Sequence, residues 1–341
     1  MKDQYNILIM RESRPGEHRV GLVPASVAYL IEKGHRIILE AGAGQKAGFP
    51  DADYQACGAT IRPQAHDRQS MQALMTDIDL ILRAKRPNQI RENLENTEIT
   101  KGTIMVGALD PFEPNSNHVN AYKKQGIIAY SIDQLNVDKD HPMNILSAMS
   151  KLAGALAFED ALAKFSGHAK TVMVIGSGSA GISAMDAAVK LGVDVTVFLT
   201  NQAVAHSLQA KAVKTVVLEK NNLNTNQKVI AESAKHADII ITTARSSGQK
   251  APVLIPESTL DQLKPGTVVI DLALSEGGNV AGSAHDQTIE RDNGVLLVNQ
   301  SAYPKVTPKE ASIAWSDANQ HFVDALCDHT MQSVLSVCRI S

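Results

Sequence analysis

The chain has 341 residues, 44% hydrophobic and 20% charged, with a formal net charge of −3, a length that outgrows one core and suits two domains. That balance offers nucleic acid no basic surface, and 4% aromatics offer single strands no stacking platform. No apolar run of ~18 residues is present to span a membrane, and the scattered Cys57, Cys327 and Cys338 suit a reducing cytoplasm better than a disulfide framework or a metal site.

The opening run is too short for a signal peptide, and residues 5–10 read instead as a first strand. Residues 24–33 then carry apolar positions at helical spacing, and residues 35–40 form a strand closing on the turn Ala41-Gly42-Ala43-Gly44. Residues 78–84, 103–108 and 126–131 continue the strand pattern with helical stretches between them. A low-turn segment, 143–165, predicts a long helix joining two halves. The second half repeats the scheme, with strands at 171–175, 193–199, 214–218, 238–243, 267–272 and 295–298. Residues 301–309, with Pro304 and Pro308, read as a loop, and about 311–337 as one long helix returning to the first domain. This order predicts an α/β protein of two doubly wound, mostly parallel Rossmann-like sheets. The expected division is residues 1–140 plus 305–341 against residues 141–304.

The strongest motif is TVMVIGSGSAG at residues 171–181. A Gly-x-Gly-x-x-Gly pattern says little alone, but here it follows a β-branched strand and opens a helix. Gly176 permits the tight turn, Gly178 admits a pyrophosphate, and Gly181 allows close packing of helix on strand. The helix N-terminus then offers N–H groups and partial positive charge to the phosphates. Ser177, Ala180 and Thr243 complete the expected cofactor-binding set around this turn. The acidic residue that usually meets the ribose is absent, because the second strand ends Leu199-Thr200-Asn201. Thr200 or Asn201 could hydrogen-bond a ribose hydroxyl, and Leu199→Asp is expected to restore an acceptor and raise NADH affinity. No Lys or Arg follows before Lys211 to meet a 2′-phosphate.

Several runs, in order along nearly the whole chain, carry a family resemblance. They are RESRPGEHRVGLVP (11–24), EKGH (32–35), EAGAGQKAGF (40–49), RAKRP (83–87) and NILSAMSKLAG (144–154), then GSGSAG (176–181), TTARSSGQKAP (242–252) and VIDLALSEGGN (269–279). The chain resembles the alanine dehydrogenase and pyridine nucleotide transhydrogenase family. The phrases SIDQL, MNILS and KLAGA lie closer to the NAD(H)-binding domain of the transhydrogenase alpha subunit. The resemblance implies two domains facing a cleft, with NAD(H) as cofactor. In the dehydrogenase branch an Arg and a Lys hold the carboxylate and carbonyl of a 2-oxo acid, and these fall on Arg19 and Lys85. The acid/base His of that branch falls near Asp110, a position that a turn before Pro111 also explains. Its Asp before Gly-Gly falls near Ser275, with Glu276 beside it. The transhydrogenase loop that holds two nicotinamides falls on Asn136, His141 and Asn144, all three altered. Hydroxyls near the nicotinamide and phosphates fall on Ser147 and Ser150.

Three functions fit these residues. The expected one is an alpha-type transhydrogenase component, a homodimer working with NADP(H)-binding and membrane subunits and not itself inserted in the membrane. The others are an NAD(P)-dependent amino- or imino-acid dehydrogenase and a nucleotide-binding protein without turnover.

Overall fold

A computed structural model describes residues 2–113, 117–245, 250–300, 302–328 and 331–341. Contacts divide the chain into two compact units, Met1–Met149 with Pro304–Ser341, and Ser150–Tyr303. The first crossing falls inside a helix rather than ahead of it, at Met149/Ser150 instead of 140/141.

The strands of the first unit are β1 (Asn6–Ile9), β2 (Arg36–Glu40), β3 (Thr60–Arg62), β4 (Leu80–Lys85), β5 (Ile104–Ala108) and β6 (Ile128–Ser131). Helices α1 (Pro24–Glu32), α2 (Asp51–Ala56), α3 (Arg68–Met75), α4 (Gln89–Asn96) and α5 (His118–Gln125) connect them. All six strands are parallel, in the order β3-β2-β1-β4-β5-β6. Strand alternation explains the near-continuous apolar runs: Ile7 and Ile9 pack into one core, Leu8 and Met10 into the core on the other face. The topological switch, where ligands of such sheets bind, lies at the carboxyl ends of β1 and β4.

The long helix α6 (Ile145–Lys164) carries the chain from one unit to the other. Ile145 and Met149 pack with the first core, and Ala157, Phe158 and Ala161 with a core of the second unit. The second unit then adds β7 (Thr171–Ile175), β8 (Asp194–Leu199), β9 (Lys214–Val217), β10 (Ile239–Thr242), β11 (Val268–Asp271), β12 (Gln287–Glu290) and β13 (Leu296–Asn299). Its helices are α7 (Ser179–Lys190), α8 (Gln202–Gln209), α9 (Leu223–Ala234) and α10 (Glu257–Leu260). Strand order is β12-β13-β11-β10-β7-β8-β9, parallel except for the antiparallel edge pair β12 and β13. Its switch point lies between β7 and β10, above which the glycine loop sits.

The returning segment departs from expectation. The expected loop 301–309 contains a short helix, α11 (Tyr303–Val306). Pro308 opens the next helix, α12 (Pro308–Cys327), a first-turn position where its missing N–H costs nothing. The expected single helix 311–337 is two helices, because α12 stops at Asp328 with extended backbone and α13 (Gln332–Cys338) follows. The break lets the chain end reach the open edge of the first sheet. Ile340 N–H bonds Ala129 O at 2.8 Å, and Ser341 Oγ accepts from Ala129 N–H at 3.0 Å. That pairing covers an otherwise unpaired strand edge.

Helix α12 buries Trp315, Ala318, Phe322 and Leu326 against the first sheet. Its buried polar side chains hold the loop before α1: Ser312 and Ser316 accept from Val20 and Val23 N–H, and Asn319 donates to Gly21 O. That loop carries Arg19.

In the second unit, Asp238 knits the start of β10 to β7, accepting from Lys170 and Thr171 N–H at 2.7 and 2.9 Å and pairing with Lys264. Burial alone would raise its pKa, but the Lys264 ammonium and these N–H groups hold it at about 2. A depressed carboxyl contributes stability above its unfolded pKa near 4 and loses it as pH falls towards 2. Asp238→Asn is therefore expected to cost about 1–2 kcal/mol at pH 7 and to flatten the stability curve between pH 4 and 2. Urea unfolding across that range checks both.

Candidate functional site

In the second unit the loop after β7 is set by steric exclusion. Gly176 has φ +113, and a Cβ there would lie 2.4 Å from Thr243 Oγ1. A Cβ on Gly181 would meet Gly176 O at 2.1 Å. Only glycine lets β7, α7 and the end of β10 approach so closely. Thr243 returns the contact, its N–H and Oγ1 both donating to Ile175 O, at 2.8 and 3.3 Å. Gly154 of α6 is a third close approach, with Ala180 O 2.0 Å from a built Cβ. It occurs in a run singled out from sequence, but its role there was not legible.

Gly178 differs from these glycines. It is the N-cap of α7 with extended backbone, and a Cβ on it would touch nothing within 4 Å. As a glycine it supplies no side-chain cap to α7, and the N-terminus of that helix is where a pyrophosphate would sit. Ser177 and Ala180 are half-buried beside it. This loop fits the dinucleotide diphosphate.

The ribose end is different. Leu199 is 2% exposed and packs with Ala205, Leu208 and Val213, so its side chain is withdrawn from the ribose contact expected of it. Asn201 caps α8 through Ala203 and Val204 N–H, leaving Thr200, exposed at the strand end, as the available hydroxyl. Ser147 is buried, and its N–H donates to Asn144 Oδ1, whereas Ser150 is half-buried and belongs to the other unit.

The loops after β10 and β11 are tied together by residues that sequence did not single out. Asp271, 1% exposed, accepts from Thr242 and Ser283 hydroxyls and from the N–H groups of Ala273, Asn279 and Val280. Asn279, fully buried, clasps Ala244 through its N–H and its carbonyl and donates to Pro252 O. Glu276 pairs with Arg245 at 3.1 Å and accepts from the Ser275 hydroxyl.

In the first unit the expected cations are internally paired. Arg19, 6% exposed, holds Glu17 through Nε and Nη2 at 2.7 and 2.6 Å and stacks 5.1 Å from the Trp315 ring centroid. Burial works to raise the Glu17 pKa, but Arg19 and Lys305 hold it below the usual carboxylate range. Lys85 Nζ lies 3.5 Å from Asp110 Oδ1, and Arg14 lies 2.7 Å from Asp110 Oδ2. Asp110 has φ +49 and its carbonyl accepts from Glu113 N–H, so it is a turn residue and an ion-pair partner at once. His118 sits edge-on to Tyr122, and burial and the nearby Arg86 charge lower its pKa.

The three residues expected at the nicotinamide loop divide. Asn144 donates to Val137 and Asp138 O and accepts from Ser147 N–H, which fixes the entry to α6. His141 Nδ1 accepts from Met143 N–H and its carbonyl from Asn144 N–H. Asn136 is exposed. The structure thus brings Lys85 to Asp110 and His141 to Asn144, while Arg19 meets Glu17, a partner two residues away that the sequence reading passed over.

The family descriptions "Alanine dehydrogenase/PNT, N-terminal domain" and "Alanine dehydrogenase/PNT, C-terminal domain" match residues 8–153 and 159–339. The chain is 28% identical to the NAD(P) transhydrogenase subunit alpha of Cereibacter sphaeroides, over 94% of this chain and 67% of that one. It is 29% identical to the alanine dehydrogenase of Bacillus subtilis, over 94% and 88%. A solved transhydrogenase from Sinorhizobium meliloti superposes with a TM-score of 0.82 at 26% identity, covering 98% of this chain and 96% of that one. NAD(H) is the cofactor of the family.

Two predictions follow from the clearances around the loop. Gly178→Val is expected to keep the wild-type Tm while NADH binding weakens ~10-fold or more, whereas Gly181→Val lowers Tm by roughly 5 °C. Thermal melts with calorimetric titration separate the two. Leu199→Asp, contrary to the expectation from sequence, is expected to cost about 3 kcal/mol or more through an unpaired buried carboxylate. A denaturant midpoint equal to wild type would contradict this.

Proposed function

This chain belongs to the alanine dehydrogenase/PNT family, and we propose that it is an NAD(H)-binding oxidoreductase component of transhydrogenase type. In this reading, NAD(H) on the second unit exchanges hydride with NADP(H) carried by a separate subunit. Relatives at 28% and 29% identity belong to both branches, so the reading rests on the first unit's chemistry. Its carrying observation is the pairing of Arg19 with Glu17 and of Lys85 with Asp110. A 2-oxo acid needs a cation for its carboxylate and a proton carrier for its carbonyl. Here each candidate cation already has a carboxylate, and the proton-carrier position is one of those carboxylates.

Bound NAD(H) supplies the hydride or its acceptor at the nicotinamide ring. The protein's part is to hold the diphosphate at Gly178 and the first turn of α7, with Thr200 offered to the ribose. The loops locked by Asp271 and Asn279 give the nicotinamide side a rigid frame, which favours orientation over proton transfer. The assembly that accompanies this reading is a homodimer with NADP(H)-binding and membrane subunits as partners, which would hold it at the cytoplasmic side of a membrane. No helix among the described residues is long and apolar enough to cross one.

A second reading, an amino- or imino-acid dehydrogenase, is favoured by Arg19 Nη1, whose hydrogen-bond acceptor is the weak thioether Met149 Sδ at 3.6 Å. The branches separate in one pair of assays. NADH oxidation is expected with an NADP(H)-binding partner subunit and an NAD analogue, at a rate that Lys85→Ala leaves within about threefold. With pyruvate or glyoxylate and ammonia, no turnover is expected. Oxo-acid turnover that Lys85→Ala lowers ~10²-fold would overturn the transhydrogenase reading in favour of the dehydrogenase.

A further inference from the structure

The end of β4, where Lys85 sits, is irregular. Its register against β5 shifts between Leu82 and Lys85, so the intervening backbone leaves the ladder. A bulge of this kind re-aims a side chain, and the N–H and carbonyl groups it frees need other partners. Those partners come from three places. Glu12, in the loop after β1, accepts from Ala84 N–H at 2.6 Å and Lys85 N–H at 3.2 Å, one with each carboxylate oxygen. Trp315 Nε1 donates to Arg83 O at 3.2 Å, and Arg86 N–H returns to Ala108 O at 2.8 Å. Two glycines leave the space: a Cβ on Gly21 would lie 3.1 Å from Arg83 N, and one on Gly107 would lie 2.7 Å from Arg83 Cγ. Ser13, next to Glu12, accepts from Asn88 N–H, so the β1 loop is tied to the end of β4 both at the bulge and beyond it.

We infer that Glu12 is a positioning residue for Lys85: its carboxylate fixes the bulge and so sets the direction in which the Lys85 ammonium meets Asp110. This positioning holds whichever hydride partner the protein uses.

The clamp is sensitive to protonation. Burial raises the Glu12 pKa to about 7, with Glu17 adding to the rise and Arg83 opposing it. Arg11, Glu17, His18, Arg19 and Lys46 line the same small cavity beside Glu12. Above that pH both oxygens are full acceptors, and below it the hydroxyl oxygen is the weaker one. The N–H of Ala84 or Lys85 then loosens, and Lys85 moves with it.

The test reads Lys85 directly in the full chain. Lysines are reductively dimethylated with carbon-13, which keeps their charge, and the Lys85 signal is assigned by its loss in Lys85→Arg. In wild type this signal is expected to move in a step with an inflection near pH 7. Glu12→Gln is expected to abolish the step near pH 7, and His18→Asn to retain it. Trp315 is the single tryptophan of the chain, so its fluorescence gives a second reading of the same step without modification. A wild-type Lys85 signal without the step overturns the inference, even if Glu12→Gln fails to fold. So does a step that persists in folded Glu12→Gln or disappears in His18→Asn.

Discussion

A buried guanidinium must be matched by a carboxylate, and the first unit is arranged around that requirement. Arg83 is 2% exposed and pairs with Glu95, which also holds Arg91, which in turn reaches Glu40. Arg86 pairs with Glu92, whose carboxylate also accepts from Tyr122. Leaving one member of such a buried set unpaired would cost about 3–5 kcal/mol, so these contacts hold α4 against β4 and fix where the strand ends. The same rule governs the site. Arg19 is buried beside Trp315 and needs Glu17, and Lys85 and Arg14 converge on Asp110. Pairing that stabilises the fold also decides what the site can bind.

The second unit is governed by distance instead of charge. At its switch point three close approaches require glycine, while Gly178 alone stands in open space. Close packing brings the N-terminus of α7 over the strand ends, and its glycine N-cap adds no side chain there to stand in a ligand's way. The division between the units is thus chemical: one offers backbone groups that a diphosphate would fit, and the other presents cations already paired with carboxylates. A hydride passed between two nucleotides needs the first property and has no use for a free carboxylate-binding cation.

Much of this was legible from the residues. Apolar β-branched runs between helical stretches gave away both parallel sheets, since strands buried on both faces leave such runs. The glycine loop was legible because its flanking strand and helix were. β3 and β12 were not, being three and four residues long without a fully buried position and with no apolar pattern to mark them. The break in the C-terminal helix arises from a distant strand edge, which helical periodicity does not reveal. Leu199 ends a strand, but strand position says nothing of which core takes its side chain. Glu12, Asp271 and Asn279 act on backbone groups up to 73 residues away and on loops brought together by the fold, so most of their work appears only in three dimensions.

The most direct test of this division is a calorimetric competition on the whole chain. ADP-ribose, which has the diphosphate and lacks the nicotinamide, is titrated first, NADH is then titrated into the ADP-ribose-loaded protein, and pyruvate into the NADH-loaded one. The account predicts one ADP-ribose per chain, displaced by NADH, and no heat from pyruvate. NADH binding that ADP-ribose leaves undiminished, or saturable binding of pyruvate, would contradict it.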